Sequence, residues 1–559
     1  MVFEYKGQKF LTDKDLQITI LGNWPEISIE NPELLTLFEE GYGRDFLGGD
    51  EIISFRQALV AKGMSFEGLE DEILKSKEKK PIRQAVFDKT ATGIGRGHSM
   101  GGLSGVVLGL HGTKMIDSGL TGLVSSRSLV TSGRRRDVKE EDIVVPFGIS
   151  EREDLLEEYL EISKQAFKES KNFKERFGKL GGIESFNKAL PYNNPADLFL
   201  VLPLDTMATL AFEVRQDQSN PNGPFLPREI YDLVGKFPEI AEEVGIQTMF
   251  NQRINVPRSG YFHYNVFKDP SLPNYPSELA EELGIMPLKP RIVDSHANMT
   301  KGFRRGLANL EGLIEKTKKI TDPNELQEAA MKYMLEASRF AEEYNESVGV
   351  TILDSLSFRV WSEQKRHATL RQSVESIYSA ARRAVDKVGE FWPQIEAAYN
   401  NTEEKVNLPI DKLSEVMIID ERLRKNPDLL APYVYHTARQ LLFFDKLVEE
   451  GIPLRDAAYM IPRSVRTVNT ESYDLTNLVS LEMPLRLCIE CEPERHLTSW
   501  QKRGLIIDEI PELKPVLQPK CVVGYCSERN FCGHIRPLKD DYDKELHEAV
   551  RDVRLERSY

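Results

Sequence analysis

Apolar residues recur at helical spacing between residues 151 and 190, where ISEREDLLEEYLEISKQAF sets Leu155, Leu156, Tyr159 and Leu160 on one face behind a Ser-x-x-Glu-like start. The spacing predicts a long amphipathic helix. From Pro81 to Ile149 the pattern changes to glycines and β-branched residues, closing with DIVVP, and predicts short strands joined by glycine turns. VGVTILDSLSF reads as another strand, and helical periodicity returns at LEGLIEK and ELQEAAMKYMLEASRFAEEY. Residues 1–80 alternate polar, Pro-containing stretches with short amphipathic pieces and end in KSKEKK, which predicts an N-terminal extension. The Pro-, Asn- and Tyr-rich stretch 217–290 breaks the periodicity and predicts an irregular linker.

Landmarks in the two halves share an order. Pro191 in NKALPYNN precedes Arg215 by the same interval that separates Pro462 in YMIPRSV from Arg486. Upstream, Gly182-Ile183 and Gly451-Ile452 each open a segment running into that proline, and downstream an apolar stretch reads as a helix carrying the arginine. The pattern predicts a divergent tandem duplication of one unit. The expected fold class is therefore α+β, each copy pairing a small sheet with several helices. The expected division is an extension at 1–80, a first copy at 81–216, a linker at 217–290, a second copy at 291–540 and a C-terminal helix at 541–559.

A chain of 559 residues exceeds one compact domain, and 40% hydrophobic with 29% charged residues is ordinary for a globular protein. The formal charge of −15 disfavours nucleic acid and anionic membrane as partners. No apolar run reaches the roughly 20 residues that span a bilayer, and the start lacks the order of a secretory signal, so a cytoplasmic place is expected. All five cysteines fall between Cys488 and Cys532: Cys488, Cys491, Cys521, Cys526 and Cys532, with His534 beside the last. Thiolates so clustered can hold a structural zinc; buried free thiols are the other reading, since the spacing matches no standard finger.

The densest polar cluster is FRVWSEQKRHATLRQSVESIY, with Gln364, Arg366, His367, Arg371, Glu375, Ser376 and Tyr378 directly after a predicted strand. Guanidinium groups beside hydroxyls and a carboxylate suit a phosphate and the edge of a base or sugar. A solvated amphipathic helix is the alternative. Gly93, Gly95 and Gly97 read as tight turns, because the run does not continue into a phosphate-binding Gly-Lys-Ser/Thr.

Arg366-His367-Ala368, seven residues and then Ser376 resemble the R-H-R-x7-S signature of the flavin-dependent thymidylate synthases, with Gln364 near that family's glutamine. Ala368 replaces the second arginine. GIPLRDAAYMIP (451–462) is similar to the family's G-I-P-x-E-D-A-R-x-x-L-P, PLRLCIECEPE to its arginine-bearing helix, and the cysteine tail to that of some members. The first half carries a fainter version: GIGRGHSM resembles the glycine-histidine segment and Ser132-Gly133-Arg134 the S-x-R element, while Gly122, Leu123 and Val124 stand where R-H-R would be. In the second half Tyr378 takes the place of the S-x-R arginine, and Leu475 and Asn477 that of the family's Asn-x-Arg pair.

The resemblance implies an enzyme that binds FAD and converts dUMP to dTMP, with methylenetetrahydrofolate and NADPH as co-substrates. It places Arg366 and His367 at the flavin, with His98 and Ser99 beside it; His98 can equally be a hydrogen-bonded turn residue. It places Gln364, Glu375, Ser376 and Arg486 at the nucleotide, with Ser132 and Arg134 as the first copy's contribution, and asks no side chain to act as a nucleophile. Sites between subunits in the family imply one composite site from two halves, and pairing of two chains into a homodimer. An inactive scaffold that keeps a nucleotide pocket is the alternative. If the cysteines hold zinc, protein purified without chelator should carry the metal; metal analysis finding none would leave the thiols free.

Overall fold

The computed structural model describes residues 2–14, 16–24, 105–120, 126–130, 139–177, 187–247, 250, 251, 254, 266–284, 289–365, 369–400, 407–488 and 491–524. Strands β1 (Val2–Tyr5) and β2 (Gln8–Thr12) pair through a two-residue turn at Lys6 and Gly7, both at positive φ, the twist a tight hairpin requires. They are followed by β3 (Gln17–Trp24), β4 (Gly105–Thr113), a seven-residue helix α1 (Lys114–Leu120), β5 (Arg127–Val130), β6 (Val144–Val145), the 25-residue α2 (Glu153–Phe177), β7 (Pro195–Pro203) and α3 (Leu204–Ser219). β2 takes β6 as a parallel neighbour, and the other strands form an antiparallel sheet in the order β3-β4-β7-β5.

The sheet corrects two expectations. Its edge strand β3 comes from the stretch read as an extension, because β4 pairs with the alternating QITI and fixes it in the sheet. The apolar run after Pro191 is first a strand, β7, and only then the helix α3 that carries Arg215. The described part of residues 217–290, expected to be irregular, is helical in places. It contains α4 (Arg228–Gly235), α5 (Phe237–Glu243) and α6 (Tyr275–Glu282), whose Ile230, Leu233 and Phe237 lie in the core. Pro227, Pro238 and Pro276 sit at helix starts, and Asn274 caps α6 by accepting from the Ser277 amide, so these residues, which look like breakers, mark N-termini.

The second half runs β8 (Arg291–Ala297), α7 (Lys301–Thr317), α8 (Pro323–Glu343), β9 (Val348–Ser357), α9 (Phe358–Gln364), β10 (Arg371–Val374), α10 (Ile377–Asn400), α11 (Pro427–Glu449), β11 (Arg466–Asp474), α12 (Leu475–Val479), α13 (Glu482–Arg486) and α14 (Pro493–Glu509). Its sheet, β8-β9-β11-β10, is antiparallel and has the strand order of the first. Each edge pair shifts register once, at Ile20/Gly22 and at Ile292/Asp294. In both sheets the second strand runs directly into a seven-residue helix and the short fourth strand begins with an arginine, Arg127 or Arg371. The likeness extends to side chains. Tyr159 donates to the Val144 carbonyl at 2.7 Å and Tyr433 to that of Ile418 at 2.8 Å, while the Val144 and Ile418 amides bond to the Asn193 and Ser464 carbonyls, each at 2.9 Å.

The two units meet where Pro191 bridges Pro462 and the Arg463 amide bonds to the Leu190 carbonyl. α2 packs on α11, with rim ion pairs Lys446–Glu158 and Arg439–Glu161 of the kind that add little in water. One core continues across the joint, from Leu108 and Leu200 to Leu356, Trp361 and Leu441. A second core lies under α7, α8 and α14. Among the described residues no helix is long and apolar enough to cross a membrane.

Glu229 is buried at the end of α1's approach, where its carboxylate accepts from the Thr113 amide at 2.8 Å and hydroxyl at 2.6 Å. Burial outweighs those bonds and lifts its pKa to about 8. The folded chain thus holds a proton that an unfolded glutamate, with a pKa of about 4.3, has lost at neutral pH. That contribution is complete below about pH 4 and disappears as pH rises through about 8. The melting temperature should fall between about pH 5 and 8, and Glu229→Gln should flatten the fall; an unchanged slope in the variant would place the dependence elsewhere.

Candidate functional site

Ser357 ends β9 and caps α9, accepting from the Val360 amide while its own amide and hydroxyl donate to Glu494, each at 2.7 Å. The seven residues that follow deliver Gln364 to a fully buried position. Among the described residues neither amide atom of Gln364 has a hydrogen-bond partner. The next residue, Lys365, is also buried and donates from Nζ to the carbonyls of Asp117 and Ser118 in the last turn of α1, with the Trp361 ring 5.0 Å away. On the far side of residues 366–368, the Thr369 hydroxyl donates to Asn477 Oδ1 at 3.1 Å, and Asn477 Nδ2 returns a bond to the Thr369 carbonyl. Asn477 is itself held by Asp474.

β10 then carries Gln372, buried opposite Glu471 and again without a partner for either amide atom. Glu375 and Ser376 are differently placed. The Glu375 carboxylate is buried and receives both terminal nitrogens of Arg383 at 2.7 Å, as well as the Val468 amide. Ser376 donates to the Lys268 carbonyl and accepts from the Tyr378 amide. Tyr378 reaches the Phe225 carbonyl. Beside them, burial lowers the Lys268 ammonium to about 8, against the pull of Glu375. The polar groups of Glu375, Ser376 and Tyr378 thus already bond within the protein.

Arg486 closes a buried chain of charges. Lys502 Nζ sits 2.6 Å from both Asp354 and Glu471, Arg495 links Glu471 at 3.3 Å to Glu482 at 3.5 Å, and Glu482 accepts from Arg486 Nε at 2.7 Å. Three acids balance three bases, as buried charge requires. Burial alone would raise the Glu471 carboxyl, but Arg495 and Lys502 hold it well below the usual range. One nitrogen of Arg486, Nη2, is buried without a partner.

Cys488, Cys491 and Cys521 form no disulfide, and burial pushes the Cys491 thiol up against the opposing charge of Arg486. Among the described residues no group of three or more His, Cys, Asp or Glu side chains is placed to hold a metal. His98, Ser99, Ser132, Arg134, Arg366, His367, Cys526 and Cys532, and the helix expected at 541–559, lie outside the described residues. Of the expected nucleotide residues, Gln364 and Arg486 present unpaired atoms. Nothing in the sequence pattern singles out Gln372 or the bonds of Asn477 to Thr369, since Asn477 stands out there only as a departure from an arginine.

No family model matches the chain. It is similar to the flavin-dependent thymidylate synthases of Pyrococcus horikoshii (29% identity over 145 residues, 24% of this chain and 58% of the relative) and Thermococcus onnurineus (27% over 122 residues, 21% and 49%). It is also similar to that of Sulfolobus acidocaldarius (24% over 216 residues, 37% and 75%). The chain spans about half the length of the first two relatives. Over part of its length the chain is thus similar to flavin-dependent thymidylate synthases, at 24–29% identity.

Neutralising one member of the buried charge chain should be costly, because its partners stay charged and dry. Glu471→Gln should lower stability by about 3–5 kcal/mol in chemical unfolding. A loss below about 1 kcal/mol would mean that water reaches the cluster.

Proposed function

We propose that this chain is an FAD-dependent thymidylate synthase-like enzyme that methylates dUMP to dTMP, using methylenetetrahydrofolate and NADPH. The observation that carries the reading is the buried, unpaired amide of Gln364 at the head of the Arg366-His367 segment. A buried amide without partners costs free energy that a ligand can return. Its Nε2 donor and Oε1 acceptor complement the carbonyl and N–H on the imide edge of uracil. Arg486 Nη2 offers a further donor suited to an anion.

By resemblance, Arg366 and His367 would hold FAD, which when bound supplies the redox chemistry. The chain's own part is to orient the pyrimidine through Gln364 and to keep the site dry. Glu375, Ser376 and Tyr378 fit a supporting part better than direct contact, since their bonds are internal.

We infer further that the two units descend from one duplicated unit. The shared strand order, the matching register shifts and the paired tyrosine bonds support this. A cytoplasmic place and pairing of two chains remain part of the same reading, as does a structural zinc drawing on Cys488, Cys491, Cys521, Cys526 and Cys532.

Purified protein should show visible flavin absorbance that co-elutes with it or appears on adding FAD, and dUMP should shift the band. A colourless protein that dUMP nevertheless protects against thermal unfolding would move the assignment to the inactive nucleotide-binding scaffold, for which the internal bonds of Glu375, Ser376 and Tyr378 already speak.

A further inference from the structure

Strand register gives a residue-by-residue correspondence between the units. Thr113 pairs with Pro195 at the end of β4, and Ser357 with Arg466 at the end of β9. Pro195 lies four residues after Pro191 and Arg466 four after Pro462, so Thr113 corresponds to Ser357. The helices that start next, α1 and α9, are both seven residues long, and their last residues are Leu120 and Gln364. Both side chains are fully buried. One unit therefore ends its helix in a side chain with two unpaired polar atoms, the other in an aliphatic one with none.

The same end of α1 is occupied from across the joint. Lys365 inserts its ammonium against the Asp117 and Ser118 carbonyls, which are among those a helix leaves open at its C-terminus. The first unit thus has an apolar residue where a base-reading amide would stand and a buried cation from the second unit over its helix end.

From this asymmetry we propose that each chain binds one nucleotide, read by Gln364 of the second unit, and that the corresponding place in the first unit is closed by Leu120 and Lys365. The proposal rests on the nucleotide reading given above. It makes the chain a two-unit body with one working site, where two equal units would offer two.

Calorimetric titration of the full chain with dUMP, in the presence of FAD, tests it. One dUMP per chain is expected. Gln364→Leu, which installs the first unit's residue, should abolish that binding and at the same time raise the melting temperature of the unliganded chain, since it removes two unpaired buried polar atoms. A residue with only a packing role would not produce loss of ligand together with gain of stability. Two dUMP per chain, or one dUMP retained by Gln364→Leu, would overturn the proposal. No saturable binding by the wild-type chain would overturn the nucleotide reading itself, and this inference with it.

Discussion

A buried lysine ties the first unit to the helix α9 of the second, which carries Gln364. Lys188 lies just before the Pro191–Pro462 bridge, with its ammonium 2.9 Å from Glu492 and 2.6 Å from Glu494. Burial alone would lower its pKa, yet the two carboxylates outweigh burial and keep it charged. Glu494 also receives the amide and hydroxyl of Ser357, the cap of α9. The chain of contact from Lys188 through Glu494 and Ser357 ends at Gln364. Removing the lysine would strand two acids in the interior, a loss of several kcal/mol by the ordinary cost of breaking a buried pair.

The second constraint is the polar interior of the second sheet. β11 turns Asn469, Glu471 and Tyr473 inward, where a sheet core would ordinarily be apolar, and α14 answers with Arg495 and Lys502. Such a network gains little net stability, because desolvation offsets most of the attraction. What it does here is orient Arg486 and leave one of its nitrogens unspent. The first sheet buries Leu198, Leu200 and Leu202 on the corresponding strand. Two sheets with the same topology thus differ in what their inner faces are made of, and the polar one borders the site.

Much of the fold was legible. The 3.6-residue period of ISEREDLLEEYLEISKQAF became α2, and VGVTILDSLSF became β9, because a strong apolar period survives in any tertiary setting. The edge strand β3 and the helices of 228–282 were not, for different reasons. An edge strand is half exposed and carries a weak pattern of its own; β4 supplies the pairing that defines it. Pro238 and Pro276 read as breakers, but a proline in the first turn of a helix removes only an amide that would have gone unpaired.

For the site, sequence by itself determined which residue types stand together: the Gln364 to Tyr378 cluster, the order of Gly451, Pro462 and Arg486, and the likeness to flavin-dependent thymidylate synthases. Residue type and spacing are properties of the chain, so they can be read along it. Only the tertiary structure decided which of those side chains are spent. Glu375 and Ser376 look as available as Gln364 in one dimension, yet Arg383 and the Lys268 carbonyl, brought close by the packing of α10 and the segment before α6, engage them. Gln364 and Arg486 Nη2 find no hydrogen-bond partner among the described residues. Hydrogen-bond satisfaction depends on neighbours distant in sequence, and for that reason it belongs to the fold and not to the string of residues.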